Sequence, residues 1–230
     1  MPIQGIIFDK DGTLYDFNAT WGAWTKSLLE QEAEDAAHRA ALADVLGFDL
    51  ESERFRKDSI VIASTSDEVS QVLLPLIPEE KRDNFMDRLN ALAAVAPQVE
   101  SVPLSDFLSE LKGMGLKVGV ATNDGESSAL AHLGRSGVAG DFDFIAGYDS
   151  GFGGKPEAGQ LLAFCDQVGV APQHCVMVGD STHDLEAGRK AGMKVVAVLT
   201  GIAEEPELAP HADAVLPSIG ELAEWVRAQA

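Results

Sequence analysis

The sequence is poor in cysteine and in basic residues, and it has no long hydrophobic run. Its two cysteines, Cys165 and Cys175, are too few for a disulfide framework. Both fall at apolar positions of predicted elements, so we expect buried free thiols and a cytoplasmic protein. The longest uncharged apolar stretches have the length of a strand, so we expect no membrane span. The first predicted strand begins so soon after Met1 that we also expect no signal peptide.

The charge balance is strongly acidic. The chain has 17 lysine and arginine residues against 37 aspartate and glutamate residues, which gives a formal net charge of −20. A field of this sign repels nucleic acid and anionic membranes, so we expect neither as a partner. It also repels a phosphorylated metabolite. An enzyme for such a substrate must therefore build a local positive site from a metal ion and a few basic side chains.

Short runs of β-branched residues alternate with helical patterns along most of the chain. The predicted strands are Ile3–Phe8, Val118–Thr122, Val176–Gly179 and Val195–Leu199, with Phe144–Ala146 and Ala214–Leu216 as weaker candidates. Alternation of strand and helix predicts an α/β fold, in which helices cover both faces of a parallel sheet.

Residues 17–96 break this alternation. They contain four helical stripes and no convincing strand. A length of 230 residues allows a core with a smaller module. We therefore predict an all-helical domain at 17–96, inserted into a core that consists of residues 1–16 and 97–230.

Two carboxylates follow the first predicted strand directly. Asp9 and Asp11 stand two residues apart, and Gly12 permits a tight turn after them. The position of Asp11 suits a general acid that protonates a leaving alkoxide and then activates water. Lys10 is expected to point away from both aspartates, because side chains alternate along a strand, and to form a structural ion pair. The alternative for the whole segment is an Asp-Gly turn that merely ends a strand.

Further polar residues follow two later segments. The Thr122 hydroxyl can donate to a phosphoryl oxygen, and Asn123 can add a donor, although Thr122 could equally cap the next helix. Lys155, in a glycine-rich loop, can place a positive charge beside a phosphate, or it can be a surface lysine.

A second acidic pair follows the strand that ends at Gly179. Asp180 is expected to lie beside Asp9, so that both carboxylates hold one divalent cation. Ligation by oxygen alone favours Mg²⁺ over zinc. Asp184 lies one helical turn further on and is expected to orient water or the lysine instead of binding the metal.

The four motifs together resemble the haloacid dehalogenase superfamily, and within it the phosphatases of the phosphoglycolate phosphatase type. The resemblance runs from residue 9 to residue 184. It implies a Rossmann-like core with a helical cap that closes over the active site. It also implies that Asp9 is a nucleophile that forms an aspartyl phosphate, and that the backbone carbonyl of Asp11 completes the Mg²⁺ ligands. The residue between the two aspartates is more often apolar in this superfamily than lysine.

One basic cluster belongs to this sequence and not to the motifs. Arg54, Arg56 and Lys57 place three cations in four positions of the predicted cap. They could bind an anionic part of the substrate, such as a carboxylate. The alternative is a solvated helix end that neighbouring acidic residues neutralise.

The predicted activity is Mg²⁺-dependent hydrolysis of a small phosphomonoester such as phosphoglycolate. A dehalogenase, a mutase and a phosphonate hydrolase with Lys26 or Lys57 as a Schiff base are alternatives, and so is a non-catalytic protein that binds phosphate as a regulator. The physiological substrate and the oligomeric state, monomer or homodimer, are left open.

Overall fold

The computed structural model describes residues 2–62 and 64–229, and it contains one large parallel sheet with helices on both faces. The strands are β1 (Gly5–Phe8), β2 (Phe48–Asp49), β3 (Arg54–Phe55), β4 (Lys117–Ala121), β5 (Phe144–Ala146), β6 (Cys175–Gly179), β7 (Lys194–Val198) and β8 (Ala214–Leu216). Six of them form the parallel sheet in the order β5-β4-β1-β6-β7-β8. The predicted α/β fold with a parallel sheet is therefore confirmed.

Most of the helices lie between consecutive strands. They are α1 (Phe17–Glu32), α2 (Ala36–Val45), α3 (Ser66–Leu73), α4 (Phe85–Val95), α5 (Leu104–Gly113), α6 (Glu126–Arg135), α7 (Gly159–Val168), α8 (Thr182–Ala191), α9 (Glu205–Leu208) and α10 (Leu222–Arg227). Among the described helices, none is long and apolar enough to cross a bilayer.

The helical insertion lies between β1 and β4, as predicted, but it is not entirely helical. Strands β2 and β3 pair antiparallel, with Phe48 opposite Phe55. The two rings lie 5.0 Å apart, and the Phe55 ring also lies 5.4 Å from the Phe17 ring. Strands of two residues are too short to produce an alternating sequence pattern, so the sequence does not predict this pair.

Each face of the sheet has its own apolar core. Ile6 and Phe8 of β1 point into one cluster and Ile7 into the other, because side chains alternate along a strand. A third cluster, which runs from Phe17 to Ala96, lies inside the insertion. The exact division of the chain at residues 17 and 96 stays a prediction.

Strand β1 occupies the centre of the sheet, between β4 and β6. Its register places Phe8 beside Val120 of β4 and Val178 of β6, and the Asp9 amide donates to the Val178 carbonyl at 2.8 Å. The residues that follow these three strands therefore meet at one edge of the sheet. This is the edge at which open α/β sheets bind their ligands.

Candidate active site

Three buried carboxylates meet at the carboxyl edge of the central strands. Asp9 follows β1, Asp180 follows β6, and Asp184 lies in the first turn of α8. Each offers an oxygen atom, and these oxygens lie within 4.8 Å of one another. Gly12 makes the turn beside them, with φ of +85°, and a Cβ atom there would lie 2.4 Å from Asp180 Oδ2. Only glycine fits at this position without displacing a carboxylate.

Lys155 reaches into the carboxylate cluster. Its Nζ donates to Asp9 Oδ1 at 2.5 Å and to Asp184 Oδ1 at 2.6 Å. The Asn123 side chain fixes the backbone of this lysine, because Nδ2 donates to the Lys155 carbonyl at 2.9 Å and Oδ1 accepts from its amide at 2.8 Å. Burial lowers the pKa of Lys155, but the charges of Asp184 and Asp9 outweigh burial and raise the pKa overall.

The same burial disfavours charge on the two carboxylates that follow the strands. Burial raises the pKa of Asp9 to about 7, together with repulsion from Asp184 and Asp11, against the attraction of Lys155. Burial and the charges of Asp9 and Asp184 also raise the pKa of Asp180 well above 3.8. Several carboxylates around one lysine leave negative charge uncompensated. A donor set of buried carboxylate oxygens with excess negative charge fits a hard divalent cation.

Asp11 does not join this cluster through its side chain. Its Oδ2 accepts from Lys10 Nζ at 2.6 Å, and its Oδ1 is buried without a hydrogen-bond partner among the described residues. Both findings suit a group that is held by one oxygen and presents the other to substrate. The role of Asp11 as a general acid and the ligation of metal by its backbone carbonyl both stay predictions.

Lys10 is fully buried, which differs from the sequence-based expectation. The expectation that it points away from Asp11 was wrong, whereas the expected ion pair is present: Nζ contacts Asp11 at 2.6 Å and Asp124 Oδ2 at 3.2 Å. The reason is that β1 ends at Phe8, so strand alternation no longer applies at position 10. Burial lowers the pKa of Lys10, but the charges of Asp11 and Asp124 raise it overall.

His132 links this buried lysine to the insertion. Lys10 Nζ donates to His132 Nδ1 at 2.9 Å, so the imidazole proton lies on Nε2 and is donated to the Ala93 carbonyl in α4 at 2.7 Å. Burial lowers the pKa of His132, and the positive charge of Lys10 lowers it further. A neutral histidine therefore joins the segment after β1 to the insertion.

The first prediction concerns this buried network. We expect Lys10→Met to destabilise the protein by about 3–5 kcal/mol, because it leaves the buried Asp124 and the partly buried Asp11 without their cation. Lys112→Met is the matched control, since Lys112 forms an exposed pair with Asp141 at 2.9 Å and should cost about 0–1 kcal/mol. Urea unfolding of both variants without added metal measures the difference. Equal losses would show that Lys10 contributes no more than a surface pair.

A cavity lies between the sheet edge and the insertion. The core side contributes the polar residues Asp9, Asp11, Thr122, Asn123, Asp124, Lys155, Asp180, Ser181, His183 and Asp184. The insertion contributes Phe17, Trp21, Val61, Ile62 and Ser64. Thr122 Oγ1 accepts from the Asp124 amide at 3.0 Å, which leaves its hydroxyl proton available for a ligand in the cavity.

The basic cluster of the insertion lies apart from the cavity. Arg54 and Arg56 are exposed and line none of the described pockets, and Arg56 pairs with Asp44 at 3.0 Å. Lys57 lines a neighbouring groove, where its Nζ pairs with Glu204 at 3.0 Å and Glu207 at 3.4 Å. The structure therefore keeps Arg54 and Arg56 away from the motif residues. Lys57 shares its groove with Ser181, Thr182 and His183, which follow Asp180, but it does not line the cavity itself.

Several lining residues carry no recognisable sequence signal. Trp21, Val61 and Ile62 look like ordinary core positions of a helical domain, and their place at the cavity follows from how the insertion packs on the sheet. His183, which was not among the predicted site residues, lies in α8 and also lines the cavity. Its position three residues after Asp180 is the signal that could have indicated it.

A family model described as haloacid dehalogenase-like hydrolase matches residues 6–198. This span includes every motif residue, from Asp9 to Asp184, and most of the chain. The resemblance seen in the sequence is therefore confirmed.

Two relatives have different named substrates. The chain is 28% identical to a phosphoglycolate phosphatase from Rhodospirillum rubrum, over 98% of this chain and 91% of the relative. It is 27% identical to an N-acetylmuramic acid 6-phosphate phosphatase from Pseudomonas aeruginosa, over 96% of this chain and 94% of the relative. Similarity of this degree does not select a substrate.

Solved structures share the fold. The chain superposes with a TM-score of 0.75 on a protein from Haemophilus somnus that is described as a predicted phosphoglycolate phosphatase, with 97% of each chain covered and 18% identity. At this identity the likeness concerns the fold alone.

Proposed function

The chain belongs to the haloacid dehalogenase-like hydrolases, and from this premise we propose that it hydrolyses small phosphomonoesters through an aspartyl-phosphate intermediate on Asp9. One observation carries the proposal. The Lys155 ammonium lies 2.5 Å from Asp9 Oδ1, inside a buried carboxylate cluster at the carboxyl edge of the sheet. A carboxylate beside a buried cation can attack an anion that the rest of this acidic protein repels.

Each motif residue has a role in this proposal. Asp9 attacks phosphorus, and Lys155 neutralises charge on the transferred group while Asp184 holds its Nζ at 2.6 Å. The Thr122 hydroxyl donates to a phosphoryl oxygen. Asp11 protonates the leaving alkoxide through Oδ1 and then accepts a proton from the attacking water. Asn123 acts by fixing the Lys155 backbone, and its direct contact with phosphate stays a prediction.

Mg²⁺ is the proposed metal, held by Asp9, Asp180 and the Asp11 backbone carbonyl. When bound, it supplies positive charge that stabilises the phosphoryl group during transfer. The raised pKa values of Asp9 and Asp180 support the assignment, because they show that burial leaves these carboxylates without enough compensating charge.

The test of the proposed function is phosphate release from p-nitrophenyl phosphate with purified protein. We expect release that requires Mg²⁺ and stops in excess EDTA. No release with Mg²⁺, or full activity in EDTA, would contradict the proposal. A phosphonate hydrolase is less well supported, because Lys26 pairs with Glu53 and neither Lys26 nor Lys57 is among the residues that line the cavity.

A cytoplasmic location is part of the proposal. The two cysteines are free buried thiols, with Cys165 Sγ and Cys175 Sγ 3.7 Å apart. Such thiols persist in a reducing compartment.

The second prediction concerns metal binding without turnover. Burial raises the pKa of Asp9 from 3.8 in the unfolded chain to about 7 in the folded protein. Protonated Asp9 therefore favours the folded state, and this contribution to stability is complete below about pH 4 and is lost as the pH rises through about 7. Mg²⁺ competes with this proton. We therefore expect Mg²⁺ to raise the melting temperature more at about pH 8 than at about pH 5.5, with about 2.7 kcal/mol of stabilisation at 100 times its Kd.

Asp180→Asn should abolish most of this Mg²⁺ effect, whereas Asp58→Asn, at an exposed site in the insertion, should keep it. Calorimetry with and without Mg²⁺ measures both variants. An effect of Mg²⁺ that is equal at both pH values, or equal in the two variants, would mean that the cation binds elsewhere.

The third prediction separates the general acid from the nucleophile. A nitrophenolate leaving group needs little protonation and an alkoxide needs much. We expect Asp11→Asn to lower kcat/KM for an alkyl phosphate about 100-fold or more, and to lower kcat/KM for p-nitrophenyl phosphate by a much smaller factor. The constant kcat/KM reports only the steps up to release of the alcohol, which are the steps in which Asp11 acts as the acid. Equal losses for the two substrates would remove Asp11 from the role of acid.

A further inference from the structure

The insertion gives the cavity an uncharged wall. Its contributions are the apolar side chains Phe17, Trp21, Val61 and Ile62 and the hydroxyl of Ser64. On the opposite side, five carboxylates line the cavity, and Lys155 is the only lysine or arginine among the described lining residues. This lysine already contacts Asp9 and Asp184. A second anionic group in a substrate would therefore meet five carboxylates and no second lysine or arginine among the described lining residues. Its other polar neighbours would be Asn123, Ser181, His183 and Ser64.

An apolar chamber continues from this wall into the insertion. It shares Trp21, Val61, Ser64 and Asn123 with the cavity. The remaining lining residues are Trp24, Ser66, Val69 and Leu89, so that no charged side chain is among the described lining residues. The chamber is small, with room for a few non-hydrogen atoms.

The polar atom of the inner tryptophan does not face a ligand. Trp24 Nε1 donates to the Leu89 carbonyl at 3.2 Å, so the indole offers the chamber its apolar ring. Trp24, Val69 and Leu89 are all buried. A carboxylate placed here would lose its hydration and would find no cation among the described lining residues, with Ser64, Ser66 and Asn123 as its polar neighbours. Carbon atoms against the Trp24, Val69 and Leu89 side chains would be favoured.

The basic residues of the insertion do not change this balance. Arg54 and Arg56 are exposed outside the cavity, and Lys57 pairs with two glutamates in the neighbouring groove. In phosphoglycolate the carboxyl carbon is only two bonds beyond the ester oxygen, so its charge must stay within the cavity. No basic side chain of the described insertion lines that space.

We propose that the chamber beside Trp21 and Val61 binds the leaving group, and that the preferred substrate is the phosphomonoester of a small, uncharged, largely apolar alcohol. This inference rests on the proposed phosphatase function. It excludes phosphoglycolate as the preferred substrate, although relatives of the chain carry that name.

A matched pair of substrates tests the inference. Isobutyl phosphate has as many non-hydrogen atoms as phosphoglycolate, with two methyl groups in place of the carboxylate oxygens. We expect its kcat/KM to be at least about tenfold higher, which corresponds to about 1.4 kcal/mol of transition-state binding. A kcat/KM for phosphoglycolate that equals or exceeds that for isobutyl phosphate would overturn the inference.

Variants of the wall then test where the preference arises. Ser64→Arg adds a guanidinium to it and should shift the ratio of the two kcat/KM values at least about tenfold toward phosphoglycolate. Val69→Phe fills the chamber and should lower kcat/KM for isobutyl phosphate but not for methyl phosphate. Lys57→Ser is the control and should leave the ratio unchanged. A ratio that moves with Lys57 and not with Ser64 would assign specificity to the basic cluster instead.

Methyl phosphate separates this inference from the proposed function, because its leaving group has a single carbon atom and can gain little from an apolar chamber. Mg²⁺-dependent hydrolysis of methyl phosphate with a preference for phosphoglycolate over isobutyl phosphate would contradict the substrate class alone. If the protein hydrolysed none of these three esters and no p-nitrophenyl phosphate, the phosphatase function itself would be contradicted.

Discussion

An Asp9→Asn variant is expected to fold and to lose at least about 1,000-fold in kcat, the largest effect of any single substitution considered. The amide has nearly the shape of the carboxylate but is a poor nucleophile. The free energy of unfolding of the Asp9→Asn variant should not be lower than that of the wild type when no metal is present. Burial raises the pKa of Asp9 to about 7, so an uncharged group at this position removes an unfavourable buried charge above that pH.

The measurement combines steady-state kinetics with thermal unfolding, and mass spectrometry confirms that the asparagine has not deamidated. Asp149→Asn is a matched control, because Asp149 lies outside the residues that line the cavity. More than a few per cent of wild-type kcat in intact Asp9→Asn protein would rule out Asp9 as the nucleophile. A lower melting temperature with normal kcat would mean that the carboxylate is structural.

Lys155→Met should give the second largest effect. Lys155 is the cation that contacts both Asp9 and Asp184, and its removal leaves the attacking carboxylate without the charge that offsets repulsion of the phosphate. One lost electrostatic contact to a transition state costs about 100–1,000-fold in rate. We expect kcat/KM for p-nitrophenyl phosphate to fall by this factor.

Two further variants show whether the loss comes from charge at this position. Lys190→Met removes an exposed lysine that pairs with Glu157 at 2.8 Å, and it should keep wild-type activity. Lys155→Arg keeps the charge but replaces a compact ammonium with a planar group, so it should recover little activity in a buried site. The melting temperature of each variant is measured with Mg²⁺, because loss of a buried cation also destabilises the fold. Activity of Lys155→Met close to wild type would remove the lysine from the mechanism.

The core and its motif residues could be predicted from the sequence because their geometry is local. Asp9 and Asp180 each follow a β-branched run directly, and adjacent parallel strands bring such positions to one edge. The strand boundaries differ from the prediction by one or two residues at most, and β5 and β8 agree with it. Asp184 Oδ1 accepts from Lys155 Nζ at 2.6 Å, and its role in orienting the lysine instead of binding the metal stays a prediction.

The surroundings of the site depend on long-range packing and could not be predicted in this way. Lys10 was assigned by strand alternation, but the strand ends before it, and its partners Asp124 and His132 are more than 100 residues away. The cavity wall of Trp21 and Val61 forms only when the insertion packs on the sheet. Nothing in the local sequence distinguishes these residues from the interior of a helical domain.

The most direct test of the whole account is to trap the phosphoryl group on the protein. The Asp11→Asn variant is mixed with Mg²⁺ and ³²P-labelled p-nitrophenyl phosphate, quenched in acid within the first turnover, and mapped by proteolysis. In this variant the proposed base for the second step is missing, so the intermediate should accumulate. The account predicts one acid-stable, hydroxylamine-sensitive label on the peptide that contains Asp9, formed at the same rate as nitrophenol. Release of nitrophenol in the first turnover with no protein-bound label, or with the label on another residue, would contradict it.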